Sequence, residues 1–240
     1  MREMVRRFLR QRFSSVGVVV ALTALAFVAV PQLASSGGTA GFEVGTLALL
    51  ILAAGCVSRD ATGGALQMIL CRPISRSEYL LGRYGGILLS FGVFLVSLAG
   101  LTLLFTRAIL PMLGAPARAI PLDSLGPSML ATFLGAVASA ATILLLSTFL
   151  PGYGDVLGFI LLTPLAAVPD IAAQVLHMPV LAKVGRILRD NVLPSLDWNA
   201  VLAGRHPFGE ATGRWVLAVV VYLAAALFAF SRREFAYGQD

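Results

Sequence analysis

Long apolar runs, separated by short polar stretches, dominate the pattern along this chain. Six of them read as membrane spans, at about residues 14–34, 42–57, 84–106, 125–150, 156–176 and 215–230. A hydrocarbon core about 30 Å thick calls for roughly 17–25 residues per helix. The second run is short by that measure and needs residues before Phe42 to lengthen it. Backbone groups in lipid have to be satisfied within the spanning structure, and runs this long do so as helices rather than as a barrel. Pro164 and Pro169 fall in the fifth run, where each removes a backbone donor and crowds the preceding turn, so a bend is expected there. The predicted fold class is an all-α integral membrane protein of six transmembrane helices, with residues 1–240 forming one domain.

Two segments have helical periodicity instead of continuous hydrophobicity. In residues 1–13, Met1, Met4, Val5, Phe8, Leu9 and Phe13 recur at helical spacing, with Arg2, Arg6, Arg7 and Arg10 on the other face. That pattern predicts an amphipathic interfacial helix lying on an anionic leaflet; a plain basic tail would give the same topology. In the loop 177–213, Val180, Leu181, Val184, Ile187, Leu188, Val192 and Leu196 recur opposite Lys183, Arg186, Arg189 and Asp190. One or two short outer interfacial helices, broken at Pro194, are expected. They could form a lid over an exit path or seal the outer rim.

Composition agrees with the membrane reading. The chain is 58% hydrophobic and 12% charged, against about 45–50% and about 25% for a soluble domain. The net charge of +6 is distributed beside the spans, so it marks orientation rather than nucleic-acid binding. With the N-terminus inside, eleven Lys and Arg fall on the inner side and seven on the outer, five of those in the long loop that counts little. Both termini are therefore expected in the cytoplasm. The first run exceeds the 7–15 residues of a signal h-region and is read as a span, not a cleaved leader. Cys56 and Cys71 lie in or beside apolar runs and are expected to be free, buried thiols.

No assembled catalytic chemistry is legible. His177 and His206 both fall in the outer loop, without metal-ligand spacing. There is no GxSxG motif. Asp155, Asp170 and Glu43 stand near span ends, where helix-end roles are the plain reading and a membrane carboxylate merits a test. GxxxxGK[ST] is absent, so any ATP used would be bound by another polypeptide.

The remaining feature is the polar stretch 58–83, SRDATGGALQMILCRPISRSEYLLGR, between the second and third spans. Leu66, Ile69 and Leu70 form one face of a short helix, and Gly63 and Gly64 permit close approach of another backbone. Pro73 ends that helix, and Ser75 or Ser77 caps the next, which runs through Tyr79 and Leu80 into the third span. A positive-inside anchor needs only the arginines; the glycine pair, the apolar triplet and Pro73-Ile74-Ser75-Arg76 are additional and favour docking onto a partner.

The stretch resembles the segment after the second span in type-2 ABC exporter permeases. There an acidic residue, a Gly-Thr-Leu-like run, two apolar residues, a Pro-Ile-Ser-Arg tetrad and a Gly-Lys or Gly-Arg pair follow at this spacing. The matching positions are Asp60, Gly63-Gly64-Ala65-Leu66-Gln67, Ile69-Leu70, Pro73-Ile74-Ser75-Arg76 and Gly82-Arg83, with Gly64-Ala65-Leu66 departing mildly from Gly-Thr-Leu. The ending Phe230-Ser231-Arg232-Arg233-Glu234-Phe235 is also similar to the basic ending of such permeases. The resemblance implies a cytoplasmic coupling helix in the loop 58–83, with Arg59, Asp60, Gly63, Gly64, Leu66, Gln67, Ile69, Leu70, Pro73, Ile74, Ser75 and Arg76 as the contact to a partner ATPase. It further implies a bacterial inner-membrane location and a dimer of this or a related permease. A separate nucleotide-binding subunit would carry ATP and Mg, this chain not being catalytic by itself, and the substrate path would run between subunits. The competing classes are a non-transporting membrane scaffold, which would leave partner ATPase activity unaffected by loss of the tetrad, and an intramembrane enzyme depending on Asp155, Asp170 or Glu43.

Overall fold

A computed structural model of the chain describes residues 2–36, 44–58, 60, 75–112, 122–163, 168, 180, 183, 196, 198–202, 204 and 208–232. Every regular element among them is helical. In chain order these are α1 (Arg2–Phe13), α2 (Val16–Ser35) and α3 (Val44–Ala53). Next comes α4 (Arg76–Leu104), which continues through a π-helical turn (Phe105–Ile109) into Leu110–Met112. The others are α5 (Leu122–Phe149), α6 (Gly154–Thr163), α7 (Trp198–Leu202) and α8 (Phe208–Arg232).

Four of these helices are long and apolar enough to cross a membrane, over Val16–Ser35, Arg76–Met112, Leu125–Phe149 and Thr212–Arg232. They coincide with the first, third, fourth and sixth predicted spans. Of the second and fifth, the described residues show the short apolar helices Val44–Ala53 and Gly154–Thr163. The described residues therefore show an all-α protein with four long apolar helices, consistent with a multi-pass membrane protein; the rest of the second and fifth predicted spans, residues 42–43 and most of 164–176, lies outside them. The second span was expected to reach Val57. Instead α3 stops at Ala53, because residues 54–57 form a turn in which Gly55 takes a φ of 63°, a conformation that glycine adopts without steric cost. The expected bends at Pro164 and Pro169, most of the outer segment 177–195, and the helix at 61–74 lie outside the described residues.

α4 organises the bundle: α1, α2, α3, α5 and α8 all pack against it. Its Tyr79, Leu80, Ile87, Phe91 and Leu95 are buried among Leu33, Leu49, Leu52, Ala140, Leu144 and Phe230 of the surrounding helices. Small residues let backbones approach, as is usual where helices pack without a hydrophobic driving force between them. A Cβ on Gly45 would stand 2.9 Å from Thr132 Cγ2, and one on Gly86 only 2.6 Å from Phe8 Cδ1. Outward, the pattern inverts: Phe27 is 81% exposed and Leu217 64%. Such exposed apolar area is a liability in water and the natural surface in lipid.

Candidate functional site

Among the described residues the buried charged side chains, Arg12, Asp60, Arg83 and Asp155, converge at one end of the bundle, where the 61–74 segment leaves and returns. The convergence begins with the turn that ends α3. Its buried N–H groups, no longer in a helical ladder, need acceptors, and two neighbouring elements supply them. Gly55 N–H donates to the Asp155 carboxylate of α6 at 3.0 and 3.3 Å. The N–H groups of Val57 and Ser58 both donate to Ser147 Oγ of α5, each at 3.2 Å. Ser58 Oγ in turn donates to the Gly152 carbonyl, and Arg12 of α1 donates to the Ala54 carbonyl.

Asp60 stands immediately before the segment and is buried. It pairs with Arg83 of α4 and accepts a 2.7 Å hydrogen bond from Tyr79 Oη, one helical turn earlier on the same face. Arg83 is itself buried; its second nitrogen donates to Gln11 Oε1 of α1 at 3.2 Å. The guanidinium groups of Arg12 and Arg83 each sit 5.3 Å from the centroid of the Phe8 ring, and Arg83 is equally near Tyr79. Tyr79 stacks on Phe230 of α8 with centroids 5.8 Å apart. A cavity of about 40 Å³ remains beside this group, lined by Gln11, Arg12, Ser15, Gly55, Asp60 and Arg83.

Beyond the segment, Ser75 begins α4 with a reciprocal capping box: its hydroxyl accepts from Glu78 N–H and Glu78 accepts from Ser75 N–H, both at 3.2 Å. Arg76 then donates to the Ser231 carbonyl at the end of α8, at 2.7 Å. Both ends of the segment are thus fastened to the bundle, one through charge and one through a cap.

Of the residues predicted to form the contact, Asp60, Ser75 and Arg76 are described and stand at the two ends of the segment. Arg59, Gly63, Gly64, Leu66, Gln67, Ile69, Leu70, Pro73 and Ile74 lie outside the described residues, as do Glu43, Asp170, His177, His206 and Cys71. Three other polar residues have roles that hydropathy hides. Arg12 and Arg83 were counted as orientation charges, and both are buried in this network. Asp155 was read as an interfacial helix-end residue; it does stand at a helix end, but with no exposed surface and with the α3 turn bound to it. The available signal was Arg83 within the run YLLGRYGGILL, since an ionisable residue in an apolar run demands a partner. Cys56 is a free, buried thiol, as its surroundings in the sequence suggest. Among the described residues no cluster of His, Cys, Asp and Glu could hold a metal ion. Compared with protein-family models and with curated proteins, the chain matches none.

Proposed function

We propose that the chain is the membrane subunit of a bacterial ABC exporter in the inner membrane, with both termini cytoplasmic. Two permeases, this chain paired with itself or a relative, assemble with two separate ATP-binding subunits that carry ATP and Mg. This chain forms the substrate pathway and is not itself the catalyst. The supporting observation is the fastening of both ends of the 61–74 segment. A push on that segment is delivered through Asp60 to Arg83 and Tyr79 of α4, and through Arg76 to the end of α8. Gln11 and Phe8 extend the connection to α1. A buried ion pair suits this role because it is directional and costly to break.

In this mechanism ATP closes the partner pair and the segment carries that motion into the long helices. ATP shifts the bundle only to the extent that it binds one conformation better than the other; moving an equilibrium from 1:99 to 99:1 requires a difference of about 5.5 kcal/mol. The test is purification of the intact complex in mild detergent with an ATPase assay. A nucleotide-binding protein should co-purify, and insertion of residues beside Gly63 should uncouple its ATPase activity from transport while the chain still reaches the membrane. Unchanged ATP-driven export by the insertion variant would remove the segment from the coupling path. An isolated, ATPase-free chain would remove the exporter reading itself.

A further inference from the structure

We propose that the groove between α2 and α4 binds an anionic phospholipid, one acyl chain lying in the groove and the headgroup phosphate meeting Arg6 and Arg10 of α1. This site does not depend on the exporter reading. The groove has a volume of about 760 Å³. Its floor is buried, made by Leu22, Ala26 and Val30 of α2 with Phe94 and Leu98 of α4. Its rims are exposed, with Val19 and Phe27 on one side and Val93, Leu101 and Leu104 on the other. The wall is almost wholly apolar, and the hydroxyl of Thr23 is already spent on the Val19 carbonyl at 2.8 Å.

Shape suits an extended occupant. Along α2 the groove runs from Val19 to Pro31, roughly 18 Å at 1.5 Å per residue, and along α4 from Val93 to Leu104. An extended hydrocarbon chain lies along an apolar groove of that length, and an apolar groove on a bundle surrounded by lipid meets such chains directly.

Charge selects the headgroup. Phe13 lines the groove at the α1 end; although the sequence pattern grouped it with the apolar face, on the helix it falls beside Arg6 and Arg10, on one narrow face at successive turns. Arg6 and Arg10 are exposed, whereas Phe8 and Arg12, on the opposite face, are buried against the bundle. Thus the same helix that docks through Phe8 carries two exposed guanidinium groups on the face whose Phe13 lines the groove, and a phosphate is the headgroup group they would hold.

The experiment titrates the full-length chain in mild detergent with dioleoylphosphatidylglycerol and, separately, dioleoylphosphatidylcholine, reading bound lipid by native mass spectrometry. The wild-type chain is expected to hold phosphatidylglycerol more tightly than phosphatidylcholine. Arg6→Gln with Arg10→Gln should weaken phosphatidylglycerol roughly 25-fold, about fivefold per arginine, and leave phosphatidylcholine unchanged. Ala26→Phe should abolish binding of both lipids by filling the floor. Val93→Trp, on the exposed rim, blocks the same groove without entering the packed interior and serves if Ala26→Phe does not fold. Equal binding of the two lipids by wild type overturns the headgroup assignment, and wild-type binding by Val93→Trp overturns the groove. A lipid-free dimer that Val93→Trp splits into monomers assigns the groove to a second copy and overturns the proposal.

Discussion

Replacing Asp60 by Asn would leave the Arg83 guanidinium buried without its carboxylate. Breaking one side of a buried ion pair typically costs about 3–5 kcal/mol. Gln11, Phe8 and Tyr79 still face Arg83, so the lower end of that range is expected. Asp60→Asn should therefore lower the midpoint of thermal inactivation in detergent, and Asp60→Asn with Arg83→Met should recover much of the loss. Asp60→Asn as stable as wild type would show that the pair contributes nothing to stability. Asp60 was legible in the sequence through the motif around it; Arg83 was legible only as a charge. Which carboxylate a buried arginine finds, 23 positions away, follows from how α3 and α4 pack and not from spacing.

The docking of α1 on α4 depends on the absence of a side chain at Gly86. A Cβ there would stand 2.6 Å from Phe8 Cδ1, 2.9 Å from Cγ and 3.1 Å from Cβ, so rotating the ring cannot relieve the clash and α1 has to move. Gly86→Ala is expected to cost about 1–3 kcal/mol and to speed tryptic cleavage at Arg6, Arg7 and Arg10. Gly85→Ala is the matched control, because its Cβ would meet only Val5 Cγ2, at an ordinary 3.7 Å, and cleavage should stay at the wild-type rate. Ser75→Ala removes the cap of α4 and should cost about 1 kcal/mol, seen as a lower thermal midpoint; Ser77→Ala should not. The choice between those two serines was open in the sequence. Glu78 decides it, standing three residues after Ser75 where a capping box needs it. The amphipathic pattern of α1 was equally legible, whereas its partner was not: helical periodicity names a buried face without naming what buries it.

At the scale of the molecule, the proposed orientation places Ser36, at the end of α2, outside and the 61–74 segment inside. Ser36→Cys should react with a membrane-impermeant maleimide in intact cells, and the unchanged chain, with Cys56 buried and Cys71 on the inner side, should not. Labelling of the unchanged chain through Cys71, with no further label gained by the variant, would invert the topology. Four long helices emerged where hydropathy put spans, since an apolar run of membrane length has few alternatives to a helix. The second span was drawn to Val57, past the turn at Gly55, because hydropathy does not register that turn: residues 54–57 are apolar like the helix they terminate.

The sequence by itself determined that this chain is helical and apolar, where its long helices lie, which face of α1 is greasy, and where α4 begins. Those properties are local, set by runs, periodicities and caps within a few residues. Only the tertiary structure decided that Asp60, Tyr79, Arg83, Arg12 and Gln11 form one buried group, that Asp155 holds the turn after α3, and that a groove opens between α2 and α4. Those properties depend on helices distant in the chain coming within hydrogen-bonding or van der Waals reach, which no local pattern specifies.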